Sequence, residues 1–479
     1  MYEIQFNQPA HIHFIGIGGI SMSGLAEVLL EEQFTISGSD AKESELTRKL
    51  EQSGAVIYYG HDASHIQPGT DVVVYTAAVH QDNPEYQAAA ANGIPLLSRA
   101  ELLGQMMKNY KQSVAVAGTH GKTTTTSMIT QILLAANADP TISVGGILPA
   151  IGGNIRVGHS SCFVTEACEY TNSFLHFYPK YSVILNIEED HMDFFKDLAD
   201  IRHSFRLFAE NTAADGTLIV NHEIEDLEPL LQGLECNTIT YGFDNCCTFY
   251  PDQITYQESG FAQFTVMHNT HKIIHSEDGA SSRFLTWKES EKVCEVSLRV
   301  PGRHNISNAL AAAALAVTMG IPADAIAQGL HAFCGTDRRF QVKGKLHGAT
   351  VIDDYAHHPT EITATLSAAE QYPHSRIICV FQPHTYSRTK AFLEDFAKAL
   401  SGADLVVLAD IYAARETDTL GISSLDLLER LQKQGCECYY FPSFEEIEKF
   451  LLKKVMNGDL LITMGAGDIL KVGEDLLSQ

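Results

Sequence analysis

The length, composition and charge of the chain restrict its class before any motif is considered. The chain has 479 residues, of which 45% are hydrophobic, and its formal net charge is −26 at pH 7. This length predicts about three domains of roughly 150 residues each. The strong negative charge argues against nucleic acid or an anionic membrane as the main partner, whereas small anionic ligands stay compatible with it.

Targeting and membrane signals are not evident in the sequence. The first residues, MYEIQFNQPAHIHF, lack a basic segment followed by an apolar one, so we expect no signal peptide. No apolar run approaches the roughly 18 residues that a membrane span requires. The 10 cysteines are scattered without the spacing of zinc ribbons or fingers. We therefore expect a cytoplasmic protein with reduced, mostly buried thiols.

The pattern along the chain predicts three α/β domains in series. In residues 1–110, apolar runs alternate with helix-like segments, which predicts a Rossmann-like domain with a parallel sheet. Residues 111–335 open with a strand, a loop and a helix and predict a central P-loop ATPase-like domain. Between about residues 221 and 299, short strands with polar turns predict an antiparallel excursion within this domain. Residues 336–479 again alternate strands and helices and predict a C-terminal Rossmann-like domain.

A first glycine-rich loop lies near the N-terminus. The stretch HIHFIGIGGISMSGLAEVLL, residues 11–30, joins a strand to a helix through Gly16, Gly18 and Gly19. Asp40 follows at about the distance where dinucleotide-binding folds place a ribose-binding acid. Such a match alone is weak evidence for a nicotinamide dehydrogenase, because glycines also serve tight turns. The loop indicates a helix N-terminus suited to an anion.

A second loop, GTHGKTTTT, indicates phosphate chemistry more sharply. It follows a strand and precedes a helix, so Lys122 can bridge the β- and γ-phosphates and the Thr123 hydroxyl can ligate Mg²⁺. The loop departs from the standard eight-residue motif. Only two residues separate Gly118 from Gly121, and the first glycine of the standard motif would fall on Val116. The departure weakens the assignment to a generic ATPase.

Candidate metal ligands follow two later strands of the central domain. TEACEY offers Glu166 and Glu169, and NIEEDHMD offers Asp190, His191 and Asp193. The carboxyl ends of parallel strands line one crevice, so we expect these groups to converge with the loop lysine. Phosphoryl transfer requires such groups, because the charge of the transferred group must be neutralised.

Groups that bind anions or carboxylates are concentrated after two apolar strands of the third domain. DDYAHHPTE contains His357 and His358, and FQPHTYSRT contains His384 and Arg388. Imidazole and guanidinium groups at strand ends suit a carboxylate or phosphate ligand. The same residues are also ordinary on exposed loops, so composition alone leaves both interpretations open.

Together these motifs resemble those of the Mur ligases. The resemblance extends over nearly the whole chain and rests on GIGGISMSGLA, GTHGKTTTTSMI, NIEEDHMD, GRHNISNALAA, GTDRRF, DDYAHHPTE, FQPHTYSRT and MGAGD, in family order. It implies a cytoplasmic, ATP-dependent ligase that joins an acid to an amino acid and forms ADP and phosphate. The motifs favour the branch that adds L-alanine to the lactyl carboxylate of UDP-N-acetylmuramate through an acyl phosphate, the first amino-acid addition in peptidoglycan precursor synthesis.

The resemblance also implies the residues of the site. The implied ATP-binding residues are Gly118, Thr119, His120, Gly121, Lys122, Thr123, Thr124, Asn305, Asn308, Arg339 and Asp354. The implied UDP-sugar residues are Gly18, Gly19, Ser23, Asp40, His61 and Thr76. Those implied around the incoming amino acid are Tyr355, His357, His384 and Arg388, and the implied metal ligands are Thr123, Glu166 and His191. The implied catalytic residues are Lys122, His191, Arg339 and His357.

The implied ligands are small molecules: UDP-N-acetylmuramate, L-alanine and ATP, with two magnesium ions that Mn²⁺ can replace. We expect neither a nucleic-acid partner nor membrane insertion. Two alternatives stay open: a ligase of the same family that recycles a tripeptide and, more remotely, a nicotinamide-dependent dehydrogenase.

Three positions depart from the family pattern. TEACEY replaces a stretch that is richer in acids in many members; it keeps Glu166 but moves or removes nearby acids. Thr385 stands where many members carry arginine, which predicts a less basic wall around the substrate acid. The helix after the DHMD histidine has Arg206 and no lysine nearby, so we do not predict a carbamylated lysine.

Overall fold

A computed structural model of the chain describes residues 2–76, 78–258, 260–270, 272–276, 283–287, 289–414 and 416–478, of which 272–276 and 283–287 are described by their backbone alone. The described chain divides into two compact units. The first contains Met1–Ile187 and Arg202–Ile239, and the second contains Glu188–Ile201 and Thr240–Gln479. Within the described residues, every helix is too short or too polar to cross a lipid bilayer. The predicted boundaries of three domains stay a prediction.

The N-terminal part of the first unit alternates strands and helices, as predicted. Its elements are β1 (His11–Ile15), α1 (Ile20–Glu31), β2 (Thr35–Asp40), α2 (Glu45–Gln52), β3 (Val56–Tyr59), a 3₁₀ turn (Ala63–His65), β4 (Val72–Tyr75), α3 (Pro84–Ala91), β5 (Leu96–Ser98) and α4 (Arg99–Met107). The strands pair in parallel in the order β3-β2-β1-β4-β5. The order of the strands changes side at β1: β2 and β3 lie on one side of it, and β4 and β5 lie on the other. Open α/β sheets bind ligands at such a point, at the carboxyl ends of the strands.

Local sequence signals fix the ends of several helices. Ser98 caps α4, because its hydroxyl accepts the backbone N–H of Glu101 while the Glu101 carboxylate accepts the N–H of Ser98. Asn83 caps α3 because its side-chain oxygen accepts the backbone N–H groups of Glu85 and Tyr86, and Pro84 occupies the first helical position. These caps satisfy backbone donors that a helix start otherwise leaves unpaired.

A second β-sheet region of the first unit contains the phosphate-loop motif. Its elements are β6 (Gln112–Ala117), α5 (Lys122–Ala135), β7 (Thr141–Leu148), β8 (Gly153–Arg156), β9 (Cys162–Ala167), β10 (Tyr181–Ile184), α6 (Leu198–Glu210), β11 (Thr217–Asn221) and α7 (Leu227–Leu231), with 3₁₀ turns at Pro149–Ile151 and Tyr170–His176. The order is β11-β10-β6-β9-β7-β8, and the pairs are parallel except β7 with β8. Because β6 lies inside this sheet, the loop after it faces the carboxyl ends of β9 and β10.

One glycine brings α1 against the β7–β8 hairpin. Gly24 of α1 is buried, and a Cβ atom placed on it would lie 1.9 Å from Cδ1 of Ile155 in β8. Any side chain at this position would collide with the isoleucine. The helix that follows the first glycine loop therefore packs directly on the hairpin.

From residue 240 onward, the second unit contains the predicted antiparallel strands. Its first elements, after β12 (Asn237–Tyr241) at the unit boundary, are β13 (Phe249–Tyr256), β14 (Phe261–Asn269), β15 (Lys272–Ser276), β16 (Arg283–Trp287), β17 (Ser290–Pro301), α8 (Arg303–Thr318) and α9 (Ala323–Ala332). Strand β14 pairs antiparallel with both β13 and β17. Helix α8 contains the alanine-rich segment, and residues 309–316 of it are buried. Small side chains allow other elements to approach this helix closely.

The C-terminal part of the second unit is another α/β sheet. Its elements are β18 (Gln341–Leu346), β19 (Ala349–Asp354), α10 (Pro359–Glu370), β20 (Ile377–Phe381), α11 (Tyr386–Ala391), α12 (Leu393–Leu400), β21 (Leu405–Leu408), α13 (Ser424–Lys433), β22 (Cys438–Tyr440), α14 (Phe444–Lys454), β23 (Leu460–Met464) and α15 (Leu470–Ser478). The order is β18-β19-β23-β20-β21-β22, with only the β18–β19 pair antiparallel among these strands. Residues of β20 alternate between two hydrophobic clusters, one on each face. Burial on both faces is typical of a parallel sheet covered by helices.

Candidate active site

The first glycine loop is fixed to the end of β2. The N–H groups of Gly16 and Ile17 donate to the Ser39 carbonyl at 2.8 and 3.0 Å, and the Gly18 N–H donates to Asp40 Oδ2 at 2.8 Å. A Cβ atom on Gly18 would lie only 2.8 Å from the same carboxylate oxygen. Only glycine therefore lets Asp40 approach the loop this closely, immediately before the N-terminus of α1 at Gly19.

Ser23 and Thr76, also predicted for the UDP sugar, lie beside this loop and make local hydrogen bonds. Ser23 is buried in α1 and donates its hydroxyl to the Ile20 carbonyl at 3.0 Å. Thr76 follows β4, and its Oγ1 accepts the N–H of Ala78 at 3.0 Å. A Cβ on Gly16 would lie 2.8 Å from Cγ2 of Thr76, so the end of β4 touches the loop.

An arginine that the sequence analysis did not include reaches the same loop. Arg99, the first residue of α4, donates from Nη1 to Ser21 Oγ at 3.1 Å, although the two residues are 78 positions apart. Ser21 lies in the first turn of α1. The first loop therefore combines backbone N–H groups at a helix N-terminus with one guanidinium, a combination that suits a diphosphate.

The second loop is held by the strand beside it. Gly118 and Gly121 have positive φ angles of 149° and 82°, which favour glycine. Between them, the N–H of His120 donates to Asn186 Oδ1 at 2.7 Å, and the Asn186 amide donates back to the His120 carbonyl at 3.1 Å. Thr119 donates its N–H to the Asn186 carbonyl at 3.2 Å. Asn186 follows β10 and thus fixes the backbone of the loop.

Carboxylates from the end of β9 hold the two reactive side chains of the second loop. Lys122 Nζ donates to Glu169 Oε2 at 2.9 Å and to the carbonyls of Gly118 and Thr119. Thr123 Oγ1 donates to Glu166 Oε2 at 3.1 Å. Thr124, the next predicted ATP residue, lies in the same first turn of α5 and is partly buried.

The charge on Lys122 is retained in this setting. Burial alone would lower the pKa of Lys122, but the adjacent Glu169 outweighs it and raises the pKa above its ordinary value. The side chain is 15% exposed, and that of Glu169 is 2% exposed. The charged ammonium group of Lys122 can bind a phosphate group. The hydroxyl of Thr123 and the carboxylate of Glu166 are hard oxygen ligands of the kind that Mg²⁺ prefers.

In the second unit, two of the predicted ATP-binding residues lie in the first turns of α8. Asn305 donates its amide to the Pro301 carbonyl at 2.7 Å, and Asn308 donates to Asn305 Oδ1 at 3.2 Å. Both side chains are buried. The two asparagines thus form one connected pair at the start of the helix.

A glutamate that the sequence analysis also missed links two predicted catalytic residues. One carboxylate oxygen of Glu361, in α10, accepts a hydrogen bond from Arg339 Nη1 at 3.4 Å. The other oxygen lies 3.2 Å from His357 Nδ1. The guanidinium of Arg339 also lies 5.4 Å from the centre of the Tyr355 ring. The first arginine of DRRF, Arg338, is structural by contrast, since it binds Asp353 and two backbone carbonyls.

Asp354, predicted to anchor the ATP ribose, ends β19. Its carboxylate accepts the backbone N–H groups of Phe340 and Ala356, each at 2.8 Å. Burial raises the pKa of Asp354 to about 6, against the opposing charge of Arg339. The carboxylate is therefore held in one orientation by the backbone around it.

The residues predicted around the amino acid form one contiguous cluster in the second unit. The His357 ring centre lies 5.4 Å from that of Tyr355 and 5.7 Å from that of His384. Arg388 Nη1 donates to His384 Nδ1 at 3.2 Å. Its Nε and Nη2 donate to Asp190 Oδ1 at 3.2 and 2.8 Å. The structure thus brings all four predicted residues together and pairs the arginine with an acid that the sequence offered as a metal ligand.

Both histidines of this cluster are neutral at pH 7. Burial lowers the pKa of His357 to about 4, against the opposing charge of Glu361. Burial and the charge of Arg388 lower the pKa of His384 to about 4. His357 Nδ1 lies 2.9 Å from the Tyr355 carbonyl, so this nitrogen carries the hydrogen and Nε2 keeps its lone pair.

His191, predicted as a metal ligand, follows Asp190 in a left-handed conformation with φ of 53°. Its backbone N–H donates to Asp190 Oδ1 at 2.7 Å, and its Nε2 lies 3.8 Å from the other oxygen. His191 belongs to the second unit and Lys122 to the first, so their convergence stays a prediction.

Three protein-family models match successive segments of the sequence. Residues 11–111 match the model described as "Mur ligase family, catalytic domain", residues 116–316 match the "Mur ligase middle domain", and residues 338–467 match the "Mur ligase, glutamate ligase domain". The matches cover far more than half of the chain. The chain belongs to the Mur ligase family.

Individual relatives of this Mur ligase extend the match to its full length. It is 61% identical over 479 residues to a UDP-N-acetylmuramate–L-alanine ligase of Agathobacter rectalis, with 100% of both chains covered. It is 50% identical over 477 residues to the enzyme of that name from Caldanaerobacter subterraneus, with 100% of this chain and 99% of the relative covered.

Solved structures agree with this assignment to the Mur ligases. The UDP-N-acetylmuramate–alanine ligase of Thermotoga maritima superposes with a TM-score of 0.74 at 30% identity, covering 98% of both chains. A murein peptide ligase of Psychrobacter arcticus superposes with a TM-score of 0.65 at 25% identity, also covering 98% of both. The predicted three-domain α/β architecture is confirmed, and the dehydrogenase alternative is left without support.

Two of the departures from the Mur ligase pattern have structural roles here. Thr385 caps α11, where its Oγ1 accepts the backbone N–H of Arg388 at 3.4 Å, so it supports the arginine through the backbone. Arg206 pairs with Glu210 at 2.9 Å and donates to the Leu230 carbonyl, and so ties α6 to α7.

Proposed function

We propose that this Mur ligase uses ATP to join the α-amino group of L-alanine to the lactyl carboxylate of UDP-N-acetylmuramate. The observation that carries the proposal is the full-length identity of 61% to a ligase of that name, in a chain whose phosphate loop holds Lys122 and Thr123 against two carboxylates. The reaction would be the first amino-acid addition to a peptidoglycan precursor. Its use of ATP supports a cytoplasmic location.

The first step follows from the chemistry of carboxylates. A carboxylate is a poor electrophile, because its leaving group would be oxide. In our proposal the lactyl carboxylate attacks the γ-phosphorus of ATP, the bond from that phosphorus to the β-phosphate oxygen breaks, and an acyl phosphate and ADP form. Lys122 and Arg339 would stabilise the negative charge on the transferred group.

The second step forms the amide bond. The neutral amine of L-alanine attacks the acyl carbonyl, and the tetrahedral intermediate collapses with loss of inorganic phosphate. His357 is our candidate to accept a hydrogen bond, and then a proton, from the attacking amine, because its Nε2 keeps a lone pair. His384 and Arg388 would bind the alanine carboxylate on the other side of the cluster.

The residues of the phosphate loop also fit magnesium. Thr123 and Glu166 supply oxygen donors, and we propose His191 for a second ion, with Mn²⁺ able to substitute for Mg²⁺. A bound divalent cation would supply neutralisation of phosphate charge. Glu166 also accepts the Gly145 N–H at 2.5 Å, which orients its carboxylate toward the loop.

Phosphate release tests this proposal directly. The assay contains ATP, Mg²⁺ and UDP-N-acetylmuramate, with L-alanine, glycine, L-serine or the muropeptide tripeptide as the amine, and a control without the sugar nucleotide. We expect release that depends on both the sugar nucleotide and the amine and is fastest with L-alanine. Preference for the tripeptide would instead assign the recycling activity. Absence of amine-dependent release with every amine would contradict a ligase.

A further inference from the structure

A buried carboxylate connects the first glycine loop to His61. Glu85 lies in the first turn of α3, and its side chain is 0% exposed. Its oxygens accept hydrogen bonds from strands β1 and β2 and from the segment that follows β3. The donors are His13 Nε2 at 3.0 Å, Ser39 Oγ at 2.6 Å, His61 Nδ1 at 3.2 Å, His65 Nδ1 at 3.1 Å and the Asp62 N–H at 3.3 Å.

The carboxylate of Glu85 is ionised despite its burial. Burial alone would raise the pKa of Glu85, but the hydrogen bonds from His13, Ser39 and His65 outweigh it and hold the pKa at about 2. The helix N-terminus adds favourable electrostatics at this position. A fully buried charge is costly unless it is hydrogen-bonded, so each donor around Glu85 must present a hydrogen to it.

This requirement fixes the hydrogens on the neighbouring imidazoles. His13 must donate from Nε2, and its Nδ1 lies 2.9 Å from Ser37 Oγ, which in turn lies 2.8 Å from His11 Nε2. His61 Nδ1 lies 3.2 Å from Glu85 Oε1 and 3.1 Å from Ser39 Oγ, and the hydroxyl hydrogen of Ser39 already goes to Glu85. Both neighbours of this nitrogen are therefore acceptors, so Nδ1 carries the hydrogen. When neutral, His61 therefore keeps a lone pair on Nε2. Its side chain is 32% exposed, so this nitrogen can reach a ligand.

The same carboxylate holds the strand end on which the first loop rests. Ser39 donates its hydroxyl to Glu85 and accepts the N–H groups of the loop with its carbonyl. Asp40 follows directly, and its carbonyl accepts the Gly60 N–H at 2.8 Å, immediately before His61. Glu85 thus contacts the segments that carry two predicted UDP-binding residues, while its burial keeps it away from the ligand itself.

We propose that Glu85 is a positioning residue for the nucleoside end of the UDP sugar. It holds His61 as the Nδ1–H tautomer, so that Nε2 accepts a hydrogen bond from a donor of the ligand, either the uracil imide N–H or a ribose hydroxyl. This inference rests on the proposed function, which supplies the UDP sugar as ligand. Glu85 acts through His61 and does not itself contact the UDP sugar.

Binding of UDP to the full chain, measured by calorimetry, tests the proposal. Glu85→Gln cannot accept all of these hydrogens, and we expect about 10-fold weaker binding. His61→Ala should weaken binding to a similar extent, and the double variant should be no weaker than His61→Ala alone. The matched control is Glu228→Gln, the same change at an exposed first-turn glutamate of α7. Circular dichroism and Glu85→Asp, which keeps the charge, separate misfolding from loss of positioning.

Nitrogen NMR gives a readout that a purely structural role would not move. In the wild type, the ¹⁵N shifts of His61 should report a hydrogen on Nδ1, and Glu85→Gln should shift this tautomer equilibrium. Additive losses in the double variant, or a His61 tautomer unaffected by Glu85→Gln, would overturn the inference and leave the proposed function intact. Failure of the wild type to bind UDP would contradict the proposed function and, with it, this inference.

Discussion

The two glycine loops of the first unit have the same local architecture but different side-chain partners. Each follows a buried parallel strand and opens a helix, at residues 16–19 and 118–121. In the first loop a carboxylate, Asp40, binds the loop backbone, and the cation Arg99 comes from a distant helix. In the second loop the cation Lys122 belongs to the loop's own helix, and carboxylates bind its reactive side chains.

The side-chain partners suit the first loop to binding a phosphate group and the second loop to transferring one. A backbone cradle with a peripheral guanidinium can orient a diphosphate without activating it. A buried ammonium beside a hydroxyl–carboxylate pair can neutralise charge that develops during transfer. The glycine pattern therefore predicts only that an anion binds, and the side chains at neighbouring strand ends decide what happens to it.

Removal of the cation of the second loop should have the largest effect. Lys122→Ala should lower ATP-dependent phosphate release by at least about 100-fold, because charge on the transferred phosphoryl group loses its nearest ammonium. Steady-state release measures this, and circular dichroism checks the fold. The control is Lys111→Ala, an exposed lysine just before β6. Near-normal release from the Lys122 variant would refute its phosphate role.

Neutralising Glu166 tests whether the second loop binds a metal. Glu166→Gln should raise the Mg²⁺ concentration for half-maximal activity about 10-fold or more, since the amide keeps the shape of the side chain and loses its charge. The measurement is a Mg²⁺ titration at saturating ATP, with Glu228→Gln alongside. An unchanged Mg²⁺ requirement would count against Glu166 as a ligand.

Truncating the cation of the first loop should affect binding more than turnover. Arg99→Ala should raise KM for UDP-N-acetylmuramate about 10-fold while kcat and KM for ATP change little, because a charged hydrogen-bond donor to a bound group is lost. Arg48→Ala in α2, where the side chain of Arg48 is 59% exposed, is the matched control. A fall in kcat with constant KM would place Arg99 in the chemistry instead.

The smallest expected effect concerns the packing of the first loop. Gly18→Ala places a methyl group 2.8 Å from Asp40 Oδ2 and should lower the free energy of unfolding by about 1–3 kcal/mol. Gly19→Ala is the control, because its Cβ would meet its nearest neighbour at 3.5 Å, an ordinary contact. Urea unfolding compares the two variants. Equal stability of the two would show that Asp40 moves freely.

Local patterns were sufficient to predict most of the fold. The alternation of apolar runs and helices predicted the parallel strands of both units. Residues typical of helix starts, Ser98 and Pro322, precede α4 and α9 in the structure. The phosphate loop was predictable because its lysine and threonines lie next to each other in the chain. These signals extend over a few residues, as helix caps and strand–loop–helix units do.

Contacts between distant positions were not predictable in the same way. Arg388 pairs with Asp190 across 198 positions, and Glu85 meets His13 across 72. Nothing near Asp190 distinguishes an arginine partner from a metal ion, since either one stabilises a buried carboxylate. Glu361 had a weak signal in its spacing of four residues from His357 at a helix start.

The contact between Gly24 and Ile155 gives the two loops a mechanical connection. Helix α1 carries the first loop at its N-terminus, and Ile155 belongs to β8, which pairs with β7. Gly145 of β7 in turn donates its N–H to Glu166 beside the second loop. Since close-packed atoms transmit displacement, any shift of α1 on binding of the sugar nucleotide would have a short path to the carboxylate of Glu166. By thermodynamic reciprocity, any resulting gain in nucleotide affinity would be matched by an equal gain for the sugar nucleotide.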